Sequence, residues 1–159
     1  MTNSIKDVCE DSQVILLVGS NPEEAHPVMG MRLRQAVERG AKLIVVDPRE
    51  IGLAKKADIH LKLRPGTNVA FANGMVNVLI RKGLVDREFV EGRTEGFDDL
   101  AAMVADYTPE RVAEICGIDA RDLEAAAEMY ATAERAPIVY CLGVVEHSTG
   151  TEGVMALSN

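Results

Sequence analysis

Five consecutive apolar residues, Val14, Ile15, Leu16, Leu17 and Val18, stop abruptly at Gly19-Ser20-Asn21-Pro22. A run of that length, rich in branched side chains, reads as a strand buried on both faces, and such strands belong to parallel sheets covered by helices. The run falls far short of the roughly 20 apolar residues that span a bilayer. The residues after it are turn formers. A helical pattern then starts near Pro27, a residue suited to the first turn of a helix. The stretch from Val14 to Pro27 therefore sets the carboxyl end of a parallel strand against a helix start. Ligands of open α/β sheets bind at that edge, and free N–H groups there favour anions such as phosphate.

The pattern recurs downstream. From Pro27 to Arg39, Val28, Met29, Met31, Leu33, Ala36 and Val37 approximate helical spacing, opposite Arg32, Arg34, Gln35, Glu38 and Arg39. Gly40 suits the position past the helix end. Lys42–Val46 is a second apolar strand, ending in Asp47-Pro48-Arg49, so the chain opens with a right-handed βαβ unit. Ile51–Ala57 reads as a short helix. His60 to Leu63 alternates and reads as a third, edge-like strand, followed by the turn-rich Arg64-Pro65-Gly66-Thr67-Asn68. Helices are expected over Val69–Arg81, Asp86–Glu91, Gly96–Asp106, Pro109–Cys116 and the Ala-rich Arg121–Glu134, with Thr108 and Asp119 as caps. Ser4 caps a short helix through Cys9. Pro137 to Leu142 reads as a fourth buried strand, Gly143 opens its loop, and Thr149 onward is helical. The expected class is α/β: one domain over residues 1–159, with a mostly parallel sheet of at least four strands flanked by helices.

Composition excludes several functions. A net charge of −8 argues against nucleic-acid binding and against an anionic membrane surface. The start, MTNSIKDVCEDSQ, has no apolar core of the secretory kind. Three scattered cysteines, Cys9, Cys116 and Cys141, contain no C-x-x-C pair, so they read as reduced thiols rather than zinc or iron–sulfur ligands. A reducing compartment, the cytoplasm, is expected.

Four loops should converge on one rim: Gly19–Glu24, Asp47–Arg49, Gly66–Asn68 and Gly143–Gly150. Gly19 and Ser20 permit backbone approach to a pyrophosphate. Asp47 stands at the end of the second strand, where an acid takes a ribose diol or a base edge. Guanine offers two adjacent donors that one carboxylate accepts together, and both Asp47 and Glu24 are candidates. Arg49 suits a base face or a phosphate. Thr67 and Asn68 open a helix and supply donors for phosphate. Each residue also has a plainer reading: Asn21, Gly66, Gly143 and Asp47-Pro48-Arg49 suit ordinary turns, and His60 a structural role. His26 reads as a cap-region residue, and His147 reads equally as structural or ligand-facing. Asp98, Asp99, Asp106, Glu110 and Glu114 read as a solvated helical face. Neither G-x-G-x-x-G nor G-K-[ST] follows the first strand, so the usual dinucleotide and P-loop fingerprints are missing.

Particular segments narrow the choice. T-N-S-I at Thr2–Ile5, V-G-S-N-P-E-E-A-H-P at Val18–Pro27 and G-A-K-L-I-V-V-D-P-R at Gly40–Arg49 come first. A-D-I-H at Ala57–His60, R-P-G-T-N at Arg64–Asn68 and F-V-E-G-R-T-E-G-F at Phe89–Phe97 follow. Y-T-P-E at Tyr107–Glu110 and L-G-V-V-E-H-S-T-G at Leu142–Gly150 complete the set. In this order they resemble the molybdopterin oxidoreductase family, most closely the catalytic (alpha) subunits of formate dehydrogenases, with nitrate reductases as the near rival. The resemblance implies a three-layer, Rossmann-like domain embracing the guanosine half of one of the two molybdopterin guanine dinucleotides that together hold molybdenum or tungsten. It places Ser20, Asn21, Glu24, Val46, Asp47, Arg49, Gly66, Asn68, Leu142 and Gly143 on the cofactor-binding loops. It also implies an internal fragment, inactive alone, whose parent supplies the 4Fe–4S cysteines, the metal ligand and the domain that completes the pocket. Glu146 stands where many relatives carry Gln. Expected partners are the remaining domains of the same large subunit and the electron-transfer subunits of the parent, not nucleic acid or membrane. A free-standing nicotinamide or flavin module is the alternative from another class.

Overall fold

The computed structural model describes residues 3–159; Thr2 of the T-N-S-I segment lies outside them. Four strands, β1 (Val14–Val18), β2 (Lys42–Val46), β3 (Ile59–Leu61) and β4 (Ile138–Tyr140), make one sheet in the order β3-β2-β1-β4. Val18 lies opposite both Val46 and Tyr140, and Val46 lies opposite Leu61. Every pairing is parallel, so all four carboxyl ends share one edge.

Alternation along the apolar runs divides them between two cores. Ile15, Leu17, Leu43 and Val45 point to one face. Cys9 of α1 (Ile5–Glu10) covers them there; the link from β1 to β2 passes through α2 (Pro22–Ala25) and α3 (Pro27–Glu38), and Leu33 and Ala36 of α3 complete that layer. Val14, Leu16, Val18, Ile44, Val46 and Leu61 point the other way. Between β3 and β4 the chain builds α4 (Asn68–Arg81), α5 (Arg87–Arg93), α6 (Phe97–Val104), α7 (Pro109–Cys116) and α8 (Ala120–Ala131). Phe71, Met75 and Val78 of α4, Val112 of α7 and Leu123 of α8 fill the second core. After β4 come α9 (Leu142–Val145), which adds Val144 to that core, and α10 (Gly150–Ser158). Helices, sheet and helices form the three layers that the apolar runs imply.

The helix ends follow local chemistry. Ser4 and Asp7 form a reciprocal capping box on α1, with Asp7 N–H donating to Ser4 Oγ at 3.2 Å and Ser4 N–H to Asp7 Oδ2 at 2.9 Å. Thr108 accepts from Arg111 N–H ahead of α7, and Asp119 from Arg121 N–H ahead of α8.

Several expectations need correction. The fourth strand is not buried: Ile138 and Val139 are half-buried and Tyr140 is exposed. It stands at the sheet edge with only β1 beside it, and an edge strand is covered less completely than a central one. The loop from Gly19 to His26 contains the short helix α2. Ile51–Ala57 yields only a 3₁₀ turn over Leu53–Lys56, and α8 stops at Ala131. On α3, Val28 and Met31 face outward, 61% and 54% exposed, so the apolar stripe is narrower than the spacing suggests. The carboxylates Asp98, Asp99, Asp106, Glu110 and Glu114 are exposed, as read from the sequence.

Candidate functional site

The strand order reverses direction at β1. The chain steps outward from β1 to β2 and β3, then returns to place β4 on the other side. Loops leaving β1 and β4 therefore diverge, and a crevice opens between them at the carboxyl edge. Its floor is made by two glycines. An added Cβ on Gly143 would lie 2.7 Å from both Cα and O of Gly19, and one on Gly19 would lie 2.6 Å from the Gly143 carbonyl carbon. Gly19 also has φ +54, a conformation that other residues rarely adopt. Gly143 N–H donates to Gly19 O at 3.0 Å and fixes the contact.

A third loop joins from beyond β3. Asn68 Nδ2 donates to Gly143 O at 3.1 Å, and His147 Nε2 lies 3.0 Å from the same oxygen. Asn68 begins α4, a helix of 14 residues. The preceding Thr67 makes no side-chain cap, and its hydroxyl donates back to Arg64 O at 2.7 Å. The α4 N-terminus thus keeps first-turn N–H groups and the positive end of its dipole without a side-chain cap.

The loop after β2 supplies the charges. Asp47 is buried, and its carboxylate accepts from Arg49 N–H at 2.8 Å and from Arg49 Nε at 3.2 Å, both on Oδ1. Oδ2 has only a 3.5 Å contact with Arg49 Nη2 and keeps most of its accepting capacity. The bond from Asp47 holds Arg49 protonated, above even its ordinary high pKa. Its guanidinium end remains exposed over the rim. His60 Nε2 lies 3.0 Å from Asp47 O, so His60 steadies the loop, the structural role expected of it.

These loops enclose a cleft of about 210 Å³. Of the residues singled out from the sequence, Gly19, Val46, Asp47, Arg49, Gly66, Asn68 and Gly143 line it. Ser20, Asn21, Glu24 and Leu142 do not. Ser20 is buried beside the floor, Glu24 is exposed on α2, and Leu142 is exposed next to Gly143. Asn21 is half-buried, and its Oδ1 is one of two buried side-chain oxygens without a hydrogen-bond partner among the described residues. Pro48, Leu63, Arg64, Pro65 and His147 also line the cleft. The turn-rich composition after β3 marks Arg64 and Pro65 as loop residues, but nothing local reveals that they reach the rim. A larger hollow of about 830 Å³ lies on the helical flank, between α4, α5 and the end of α10. Its walls are mainly apolar, and it lies away from the carboxyl edge.

Known proteins share this fold. Residues 1–159 match the model of the family described as molybdopterin oxidoreductase. The chain is 47% identical, over its whole length, to the F420-dependent formate dehydrogenase subunit alpha of Methanocaldococcus jannaschii, of which it covers 24%. It is 33% identical over its whole length to the assimilatory nitrate reductase catalytic subunit of Bacillus subtilis, covering 22% of it. The solved structure of acetylene hydratase from Pelobacter acetylenicus superposes with a TM-score of 0.88 at 36% identity, over 96% of this chain and 22% of that one. The chain thus spans less than a quarter of the length of these relatives. The chain belongs to the molybdopterin oxidoreductase family.

Proposed function

We propose that this chain is the part of a formate dehydrogenase large subunit that grips the guanosine diphosphate half of a molybdopterin guanine dinucleotide. The observation that carries the reading is the cleft itself: loops from four strand ends meet over a floor of two glycines, beside a helix N-terminus without a side-chain cap. Residues of this chain fit the group in kind. Gly19 and Gly143 let backbone approach a pyrophosphate, Gly66 (φ +86) stands in open space, and the α4 N–H groups with Asn68 favour its charge. Oδ2 of Asp47 accepts from a guanine edge, and Arg49 lies over the base or on phosphate. Val46 lines the cleft, Ser20, Asn21, Glu24 and Leu142 extend the contact beyond it, and the unpaired Oδ1 of Asn21 is an acceptor in want of a donor.

At about 210 Å³ the cleft is smaller than the ~300–1,000 Å³ that encloses a whole small ligand, so the chain supplies one wall of a larger site. The redox chemistry, formate to CO₂ and a proton with two electrons passed to an acceptor, belongs to the molybdenum or tungsten centre that the cofactor supplies. The parent's 4Fe–4S cluster, metal ligand and electron-transfer subunits lie outside these residues in this reading, and the compartment is the cytoplasm. Formate is favoured over nitrate by the higher identity to the formate enzyme, 47% against 33%.

Calorimetric titration of the 159-residue chain with GDP and ADP tests the nucleotide reading. GDP is expected to bind at least about tenfold more tightly, and Asp47→Ala to erase that preference, since one charge-assisted pair is worth about 1.5–3 kcal/mol. Equal affinity for the two nucleotides refutes guanine recognition. Saturable micromolar binding of NADH instead favours a nicotinamide module.

A further inference from the structure

The loop that brings Gly66 and Asn68 to the cleft is held from behind, by a helix some fifty residues further along the chain. The Arg64 N–H donates to Cys116 O at 2.8 Å. Arg64 Nη1 donates to Glu114 O at 2.7 Å and reaches Ile115 O at 3.4 Å. The last four carbonyls of a helix have no intrahelical partner. In α7 the first of them, Ala113 O, accepts the Gly117 N–H at 2.8 Å, and Arg64 takes the other three. A cation at that end also meets the negative pole of the helix dipole. Gly117 ends the helix at φ +74, and a Cβ there would come within 2.9 Å of Arg64 Nε. A larger residue at 117 would both strain the backbone and displace the guanidinium.

The constraint passes forward from Arg64 into the loop. Its carbonyl accepts from Thr67 Oγ1 and, at 3.3 Å, from Thr67 N–H, closing the turn around Gly66. Behind it, the Cys116 thiol contacts Thr67 O at 3.7 Å. Asn68, the next residue, carries the constraint to Gly143 O and so to Gly19.

We propose that Arg64 is a positioning residue, a clamp that bolts the rim loop to the end of α7 and thereby sets where Gly66 and Asn68 stand. Its consequence for affinity rests on the guanosine diphosphate reading above; its consequence for the loop does not. The helical excursion between β3 and β4 then has a task beyond covering the sheet, because α7 is the fixed point from which the cofactor-facing loop is held.

Hydrogen exchange by mass spectrometry on the 159-residue chain, with Arg64→Gln and Arg64→Lys, tests the clamp together with GDP titration. In Arg64→Gln, exchange over residues 64–71 is expected to speed about tenfold while β1 is unaltered, and GDP to bind about tenfold more weakly. Lysine keeps one cationic donor, so Arg64→Lys falls between; it also serves if Arg64→Gln does not fold. Unchanged exchange in the loop overturns the proposal. So does acceleration of loop and β1 alike, which marks a general loss of stability, and so does a loosened loop with undiminished GDP affinity. If the unsubstituted chain binds no GDP, the nucleotide reading fails separately, and loop exchange alone decides: faster supports the clamp, unchanged rejects it.

Discussion

Gly143→Ala tests the cleft floor by the sign of its effect. Gly143 lies in α9 with φ outside the left-handed region, so its backbone conformation suits alanine. Helix propensity alone makes that exchange stabilising by about 1 kcal/mol. The contact with Gly19 opposes it. The new Cβ would meet Gly19 Cα and O at 2.7 Å and its carbonyl carbon at 2.9 Å. All three are backbone atoms, so no rotamer change relieves the clash. Overpacking of this kind costs about 1–3 kcal/mol. Separating the loops also loosens the Gly143 N–H···O=C Gly19 bond, worth about 0.5–1.5 kcal/mol. After the propensity gain, a net loss of roughly 2 kcal/mol is expected. Gly92 is the control: it is exposed in α5, also has φ outside the left-handed region, and nothing lies within 4 Å of its added Cβ. Gly92→Ala should stabilise by up to about 1 kcal/mol. Urea unfolding reads both, as midpoint shifts at constant slope, with Gly143→Ala lowering the midpoint by about 1 M. If the two substitutions move the midpoint in the same direction, the close approach of the β1 and β4 loops is wrong.

Asp58 and the cysteines give two further expectations. Burial pushes the Asp58 pKa up, but this is outweighed by the Lys42 side chain at 2.8 Å and the Leu43 N–H at 2.9 Å, so the carboxyl stays below the ordinary 3.8. A folded pKa below the unfolded one stabilises the fold above about pH 4 and ceases to do so as pH falls through the folded value. Asp58→Asn should therefore cost about 1 kcal/mol at pH 7 and progressively less below pH 4, read by thermal melts across pH; a difference constant down to pH 2 refutes the pairing. Cys9 and Cys116 are buried, with burial pushing both thiols up, whereas Cys141 is half-buried. Iodoacetamide should label Cys141 of the native chain well ahead of the other two, as read by peptide mapping; equal rates refute the burial.

Much of the fold was legible because the signal lay within single elements. β1 and β2 are central, and their unbroken apolar runs reflect burial on both faces. The caps at Ser4, Thr108 and Asp119 are encoded within a few residues of the bonds they make. What failed depended on neighbours. Pro137–Leu142 has the composition of a central strand, and only the sheet order makes it an edge. D-P-R reads as a turn or a ligand-facing acid, and nothing in it foretells that Arg49 folds back onto the Asp47 carboxylate. Arg64 carries no local mark of its role, since its acceptors are the end of a helix far along the chain.

The missing G-x-G-x-x-G follows the same logic. A dinucleotide fingerprint gathers its glycines into one loop because one strand-to-helix turn makes the whole close approach. In the proposed reading the approach is divided. Gly19 directly follows β1 and Gly143 lies shortly after β4, so two loops from neighbouring strands each supply half of the floor. Neither glycine alone distinguishes this turn from any other. The pair becomes informative only when the reversal of strand order is known, because that reversal sends the loops apart and leaves a crevice that small residues must line from both sides. A sequence search keyed to single-loop motifs overlooks such a site. A search for a glycine at the carboxyl end of each strand flanking the reversal would find it.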